Sequence, residues 1–239
     1  MPPPPMEDHG SLTCCLRQPG QYNVLRAILP HASMRLLQAR CFLLFRRGVR
    51  HIEAQERILM EHDLQQTIAL LTRTPAALDA LLRDLPETWT TGNEGEKTWS
   101  AFDVVGHLIH AEHTDWMPRA RIVLQFGESQ PFPPFDRWGH LKESQGKSLG
   151  QLLDEFARSR ADSLRELRAM NLRRENLEKH GRHPALGTVS LSELLATWAA
   201  HDLTHVHQIS RVMAHQYRKA VGPFSKYLGV LQCDGHSSP

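Results

Sequence analysis

Three segments of the chain begin with the same helix-start signature, and this repeated signature restricts the fold more than any other feature. The motifs are SAFD at residues 100–103, SLGQ at 148–151 and SLSE at 190–193. In such a capping box the serine side chain accepts a hydrogen bond from the backbone of the third helical residue, whose side chain bonds back to the serine backbone. A long segment with helical spacing of apolar residues follows each motif, so the sequence predicts three long helices.

A further helical pattern begins at Met60, before these three. Leu64 and Ile68 stand four residues apart and share one face of a helix. Thr74 is predicted to cap a second half, with Pro75 at its first helical position. We interpret the two halves as one bent helix, the first of four.

The second helix is predicted to run from Ser100 to Gly127. Pro118 lies in its interior, where the missing N–H and the ring clash kink or break a helix. The following residues 129–147 contain three prolines and two glycines. We interpret this stretch as a long loop that crosses the bundle.

The third helix begins at Ser148, and the fourth is predicted from Ser190 through Lys219, with Gly222 and Pro223 as its stop signal. Between them lies a stretch with Gly181, Pro184 and Gly187, which is interpreted as a loop. No segment alternates apolar and polar residues for long, so no strands are predicted. Four long helices and one crossover predict an all-α four-helix bundle with a long crossover loop. The third helix carries an apolar stripe of Leu152, Leu153, Phe156, Leu164 and Leu167.

The first 50 residues differ in composition from the rest. They carry seven arginines and two acidic residues, a net charge of +5, whereas the remaining 189 residues hold 21 basic and 24 acidic side chains, a net charge of −3. The longest apolar run in this leader, CFLLF at 41–45, is too short to span a bilayer, and no secretory signal is recognisable. We predict a disordered or non-native N-terminal extension at 1–59, one four-helix bundle domain at 60–231 and a disordered tail at 232–239.

The cysteines lie outside the predicted bundle. They are Cys14, Cys15, Cys41 and Cys233, with none between 42 and 232, so neither disulfides nor a cysteine-based zinc site organise the core. This distribution favours a reducing compartment, and we predict a cytoplasmic protein. The overall net charge of +2 is too small to indicate a nucleic-acid partner, and no membrane association is predicted.

The segment HDLTHVHQ at 201–208 raises the functional question. An α-helix turns about 100° per residue, so His201 and His205 share a face with Gln208, while Asp202 lies at the flank and His207 points away. Two imidazoles one turn apart are neighbours that can chelate one ion. The alternative is an ordinary polar helix flank.

The apolar run LSELLATWAA before this segment indicates that the histidine face enters the core. Two buried histidines without a partner would lose hydration and charge, and a shared metal resolves that cost. His107, surrounded by apolar residues on the second helix, is the predicted third ligand, with His110 as the fallback. Three protein ligands and an open position are typical of a catalytic site. Zinc and nickel are both reasonable ions for three histidines.

Two motifs resemble the DinB-like superfamily, the DinB/YfiT-like metalloenzymes. TWSAFDVVGHLIHAEHTDW resembles the second-helix motif of the family, and WAAHDLTHVHQISRV resembles its H-E-x-x-H-x-x-Q element. The resemblance covers about residues 60–231. It implies a four-helix bundle with His107, His201 and His205 as metal ligands and Gln208 as a nearby polar residue. Asp202 stands where the family frequently has Glu.

The resemblance implies a metal-dependent enzyme, with transfer to a low-molecular-weight thiol as the leading reaction. The thiol would be an exogenous cosubstrate, because the predicted bundle contains no cysteine. A metal-dependent hydrolase and a non-catalytic metal-binding bundle are the alternatives. A pocket lined by Trp116, Arg119 or Trp198 would favour an enzyme. The expected partners are a small-molecule substrate and, as an assembly, a homodimer. The catalytic residues are unknown, with Asp202, Gln208 and Arg119 as candidates.

Overall fold

The computed structural model describes residues 61–233. The predicted extension at 1–59 and most of the predicted tail at 232–239 lie outside the described residues, and the domain boundaries therefore stay predictions. None of the helices within the described part is long and apolar enough to cross a membrane.

The first bundle helix consists of two pieces, α1 (Leu64–Leu71) and α2 (Thr74–Leu82). Asp63 caps α1, and its Oδ1 accepts hydrogen bonds from the backbone N–H groups of Gln65 and Gln66. The predicted division of this helix is confirmed, but Thr74 is not the cap: it is the first helical residue, and Arg73 occupies the cap position without a side-chain hydrogen bond. A single turn, α3 (Glu87–Thr90), follows before the second bundle helix.

The second bundle helix is broken as predicted, into α4 (Ala101–Thr114) and α5 (Trp116–Phe126). The break lies at Asp115, three residues before Pro118, which then occupies the first turn of α5, where a missing N–H is tolerated. Gly127 ends α5 with φ 59°, a left-handed backbone conformation that glycine adopts without steric cost.

The crossover after α5 is more ordered than the predicted loop. It starts with a 3-10 turn, Gly127–Ser129, and contains the short helix α6 (Gly139–Glu143). It approaches α4 closely at Gly106, where an added Cβ would lie 2.4 Å from the Ser144 hydroxyl oxygen. The absence of a side chain at Gly106 therefore lets the crossover pack directly on α4.

The third bundle helix, α7 (Leu149–Ala169), begins with the predicted capping box between Ser148 and Gln151. The five apolar residues predicted as its stripe are all buried. A short helix, α8 (Arg174–Leu177), follows it. The prediction of this helix is confirmed in both its start and its buried face.

The prediction that the chain has no strands is wrong. Two strands, β1 (His180–His183) and β2 (Gly187–Ser190), form an antiparallel hairpin in which His180 pairs with Ser190. Each strand has four residues, too few for an alternating pattern to appear in the sequence. Tertiary contacts hold the hairpin instead, since an added Cβ at Gly181 would lie 2.8 Å from the Phe132 ring.

The fourth bundle helix, α9 (Leu191–His215), starts at the predicted Ser190 cap but ends seven residues before Gly222. The predicted end was therefore wrong. Residues 216–220 are all exposed, so no buried apolar face extends the helix beyond His215. Two 3-10 segments, Gly222–Tyr227 and Gly229–Leu231, follow.

The four bundle helices enclose an apolar core, and a charged side chain ties them together within it. Arg160 of α7 is 1% exposed and donates to the Leu71 carbonyl of α1, to Glu112 of α4 and to both carboxylate oxygens of Asp202 of α9. We call this set of three charged residues the Arg160 network. It connects all four helices of the bundle through one guanidinium.

Candidate metal centre

Three histidines from two helices meet inside the bundle, and we call them the histidine triad: His107 of α4 with His201 and His205 of α9. The Nε2 atom of His201 lies 3.2 Å from Nε2 of His107 and 3.0 Å from Nε2 of His205. One ring nitrogen from each lies within 4.8 Å of the others. The structure thus brings together the three residues that the sequence predicted as ligands.

The local sequence explains this arrangement. His201 and His205 are one turn apart on α9, and their ring centroids are 4.2 Å apart. His107 and His205 are buried, with 4% and 6% of their surface exposed, and His201 is half-buried. Apolar neighbours on α4 and α9 bury one face of each helix in the core, and the imidazoles lie on those buried faces.

The surroundings of the triad favour neutral imidazoles. Burial strongly lowers the pKa of His107, and the adjacent His205 and His201 lower it further. Burial likewise sets the pKa of His201 well below its ordinary value, assisted by the nearby His205 and the Arg160 cation. For His205, burial lowers the pKa to about 4, although Gln208 and Asp202 act in the opposite direction. Near neutral pH the triad therefore carries lone pairs rather than positive charge.

One histidine of the triad is oriented by a hydrogen bond. Nδ1 of His205 lies 2.7 Å from Oε1 of Gln208, and since an amide oxygen only accepts, Nδ1 carries the proton and Nε2 keeps its lone pair. This is the arrangement that orients a metal-ligating histidine. The Nδ1 atoms of His107 and His201 are buried and have no hydrogen-bond partner among residues 61–233.

The donor set fits a divalent ion. Metal–nitrogen bonds of about 2.0–2.1 Å with ligand angles between octahedral and tetrahedral place the nitrogens roughly 2.9–3.4 Å apart. The two Nε2 separations of 3.2 and 3.0 Å lie within that range. Without an ion, three neutral imidazoles do not supply a shared proton for every one of these close nitrogen–nitrogen contacts.

The triad opens into a cavity of about 390 Å³. Its walls are rich in aromatic side chains, and two arginines and two carboxylates also reach it. A cavity of this size accommodates a small molecule. The residues of the wall that matter below are Trp99, Asp115, Trp116, Arg119, Phe135, Arg137 and Glu193.

Arg119 and Asp115 form a buried ion pair in the cavity wall, with Nε 2.5 Å from Oδ1. Burial raises the pKa of the Asp115 carboxyl, and the Arg119 cation opposes that rise. The guanidinium also lies 5.3 Å from the Phe132 ring centroid. Arg119 was predicted as a pocket residue, and the structure places it in the wall.

Other candidates occupy different positions. Asp202 does not line the cavity, because it is fully buried against Arg160, and its acid/base role stays a prediction that these surroundings do not favour. Trp198 is also fully buried and stacks on Trp116 with ring centroids 5.8 Å apart. His110 pairs with Glu143 instead of joining the triad.

Sequence reasoning missed several residues of the wall. Trp99 precedes the Ser100 cap, and its ring centroid lies 4.7 Å from that of His107. Phe135 and Arg137 come from the crossover, which the sequence did not place near the site. Asp115 lies at the break between α4 and α5. The proline that predicts this break was the one sequence signal that pointed to the region.

A sequence model of the DinB superfamily matches residues 70–209, which hold all three triad histidines. The chain belongs to the DinB superfamily. The resemblance drawn from the two motifs is therefore confirmed. No curated protein sequence matches the chain.

A solved structure with a similar fold is YfiT from Bacillus subtilis, described as a "probable metal-dependent hydrolase with an unusual four-helix bundle topology". The two chains share 19% sequence identity with a TM-score of 0.56, and the match covers 68% of this DinB-superfamily chain and 90% of YfiT. At that identity the likeness concerns the fold. The predicted four-helix bundle is confirmed.

Proposed function

We propose that this DinB-superfamily protein is a metal-dependent enzyme that transfers an electrophilic group to a low-molecular-weight thiol. The carrying observation is the histidine triad at the wall of a cavity that a small molecule can enter. His107, His201 and His205 would hold the ion. A divalent ion on three neutral imidazoles keeps its full charge and lowers the pKa of a thiol or water that binds it.

The residues around the triad support a catalytic rather than a purely structural role. A metal that served only to stabilise the bundle would need no cavity beside it, whereas Trp116 and Arg119 line one here. The aromatic side chains of the wall lower the local polarity of the cavity, which would strengthen polar interactions with a bound substrate. Gln208 holds the lone pair of His205 toward the other two histidines.

No cysteine among residues 61–233 lines the cavity, so the described wall supplies no thiol and the thiol would be a diffusible cosubstrate. In the transfer the thiol loses its proton, and the sulfur forms a bond to an electrophilic carbon. The leaving group departs with the bonding electron pair. Asp115, a wall carboxylate whose pKa is raised by burial, is positioned to take up or return a proton.

A metal-dependent hydrolase is the second candidate. Two observations favour it: the description of YfiT, which has a similar fold, and the Asp115 carboxylate in the wall. In hydrolysis the attacking group would be water in place of a thiol, and Asp115 would serve as its proton acceptor.

The test uses the full chain, purified without a histidine tag and loaded with cobalt. We expect a sulfur-to-metal charge-transfer band when the correct cellular thiol is added, with release of protons. Thiol-dependent consumption of an electrophile such as an epoxide, an activated halide or a maleyl compound should accompany it. His201→Ala should lose both signals. If thiols leave the spectrum unchanged while water-competing anions alter it, thiol transfer is wrong and hydrolysis takes its place.

A further inference from the structure

Arg137 of the crossover lines the same cavity as the histidine triad. Its guanidinium carbon lies 5.4 Å from the ring centroid of Trp99. That ring in turn lies 4.7 Å from the His107 ring and 6.3 Å from the His205 ring. Trp99 therefore holds a cation beside the triad.

The other charged groups of the wall are already engaged. Arg119 is paired with Asp115 at 2.5 Å. The Glu193 carboxylate accepts from the backbone N–H and the hydroxyl of Ser190 at 2.7 and 2.9 Å. Within residues 61–233, no carboxylate forms an ion pair with Arg137. The Arg137 cation thus lacks a directly contacting carboxylate that would compensate its charge in the part of the chain that the structure describes.

An uncompensated arginine in an aromatic cavity has a definite chemical preference. A cation–π contact leaves the five N–H donors of the guanidinium to find acceptors. Their planar, forked arrangement matches the two oxygens of a carboxylate, and such pairs are stronger than neutral hydrogen bonds. The half-buried position of Arg137 reduces solvent screening of the pair.

We propose that Arg137 binds a carboxylate of the small molecule that reacts at the histidine triad. The carboxylate belongs either to the electrophilic substrate or to the thiol cosubstrate, and in both cases Arg137 fixes the distance between that group and the triad. The proposal rests on the proposed function for the reacting group, but the carboxylate itself is inferred from Arg137 and its surroundings.

The experiment compares ligands that differ in one charge. The full chain, loaded with cobalt, is titrated with 3-mercaptopropionate, with 3-mercaptopropionamide and with propionate, and binding is measured by calorimetry and by the cobalt spectrum. The variants are Arg137→Gln, Arg137→Lys and the matched control Arg158→Gln. Arg158 is an exposed arginine of α7 outside the cavity wall, so its replacement changes the net charge equally.

We expect the unaltered protein to bind the carboxylate thiol about 10- to 100-fold more tightly than its amide, the usual effect of a charge-assisted hydrogen bond. Arg137→Gln should bring this ratio close to one, Arg137→Lys should keep part of it, and Arg158→Gln should keep all of it. Equal metal content shows that each variant is folded, and Arg137→Lys carries the test if Arg137→Gln does not fold.

The outcomes separate this proposal from the proposed function. If both thiols bind equally and Arg137→Gln changes nothing, the carboxylate proposal is overturned while thiol binding stands. If neither thiol perturbs the cobalt spectrum but propionate binds in an Arg137-dependent way, carboxylate recognition stands and thiol transfer fails. A preference for the carboxylate that persists in Arg137→Gln also overturns the proposal.

Discussion

Helix α9 directs His201 and His205 toward the cavity. Asp202, the residue directly after His201, points to Arg160 instead. The triad brings three neutral imidazoles together, and the Nδ1 atoms of His107 and His201 have no hydrogen-bond partner among residues 61–233. The Arg160 network gathers formal charges of both signs, and its guanidinium donates to three helices. Both clusters are polar and inside the bundle, yet Nε, Nη1 and Nη2 of Arg160 all find acceptors within the chain, whereas His107 and His201 each keep a ring nitrogen without a partner among residues 61–233.

The difference indicates two roles. A buried ion pair whose donors are satisfied within the chain fixes the packing of the helices, and breaking it leaves an uncompensated charge. A set of converging lone pairs without a proton for every contact would be stabilised by an external cation. Under the proposed function, the same stretch of α9 would serve structure on one face and metal binding on the other.

The largest effect should come from removing triad histidines. His201→Ala and His205→Ala should abolish stoichiometric metal, and His107→Ala should weaken binding severely, because each removes one of three ligands. Metal analysis of the full chain without a tag measures this. His207 lies on α9 outside the triad, so the His207→Ala variant should retain metal. If His207→Ala empties the site while His201→Ala does not, the assignment of the ligands is wrong.

Breaking the Arg160 network should affect stability instead. Arg160→Met in metal-free protein should lower the free energy of unfolding by about 3–5 kcal/mol, because it leaves Glu112 and Asp202 buried without their cation. Urea denaturation measures the change. His201→Asn in the same metal-free protein should cost less than half as much, and the exposed Arg158→Gln should cost almost nothing. Equal losses for Arg160 and His201 would contradict the division between the two clusters.

The histidine triad also predicts a pH dependence for the stability of the metal-free protein. Because the native pKa values of the triad are lowered, the unfolded chain binds more protons than the native one below about pH 6.5. The free energy of unfolding should therefore fall as the pH falls, by about 1.4 kcal/mol per pH unit for each histidine that stays neutral. The native pKa of His205 is about 4, so this histidine contributes to the pH dependence from about pH 6.5 down to about pH 4.

Denaturation curves at several pH values test this expectation. His205→Gln should give a shallower slope in that window. A slope that is the same in His205→Gln and in the unaltered protein would show that other groups cause the acid sensitivity.

The smallest effect should follow from altering the hydrogen bond that orients one ligand. Gln208→Leu removes the acceptor for Nδ1 of His205 and should weaken metal binding by about 10- to 100-fold, the usual effect of losing such a contact. Gln208→Glu keeps an acceptor and should lose less. Competition with a chromophoric chelator measures the affinities. An unchanged affinity in Gln208→Leu would mean that helix packing alone orients His205.

The sequence by itself determined the features that depend on one or two helical turns. Each capping box acts over three residues, so Ser100, Ser148 and Ser190 marked helix starts that the structure confirms. The spacing of His201 and His205 placed both on one face for the same local reason. His107 followed from its apolar neighbours and from the family resemblance.

Only the tertiary structure decided what those elements meet. Arg160 finds Asp202 at a distance of 42 residues along the chain, and no local pattern encodes that pairing. The hairpin after α8 and the placement of Arg137 over Trp99 likewise depend on how the crossover packs against the bundle. Local backbone and capping interactions are determined by adjacent residues, whereas the partner of a buried charge or the wall of a cavity is determined by which helix faces come together in the core.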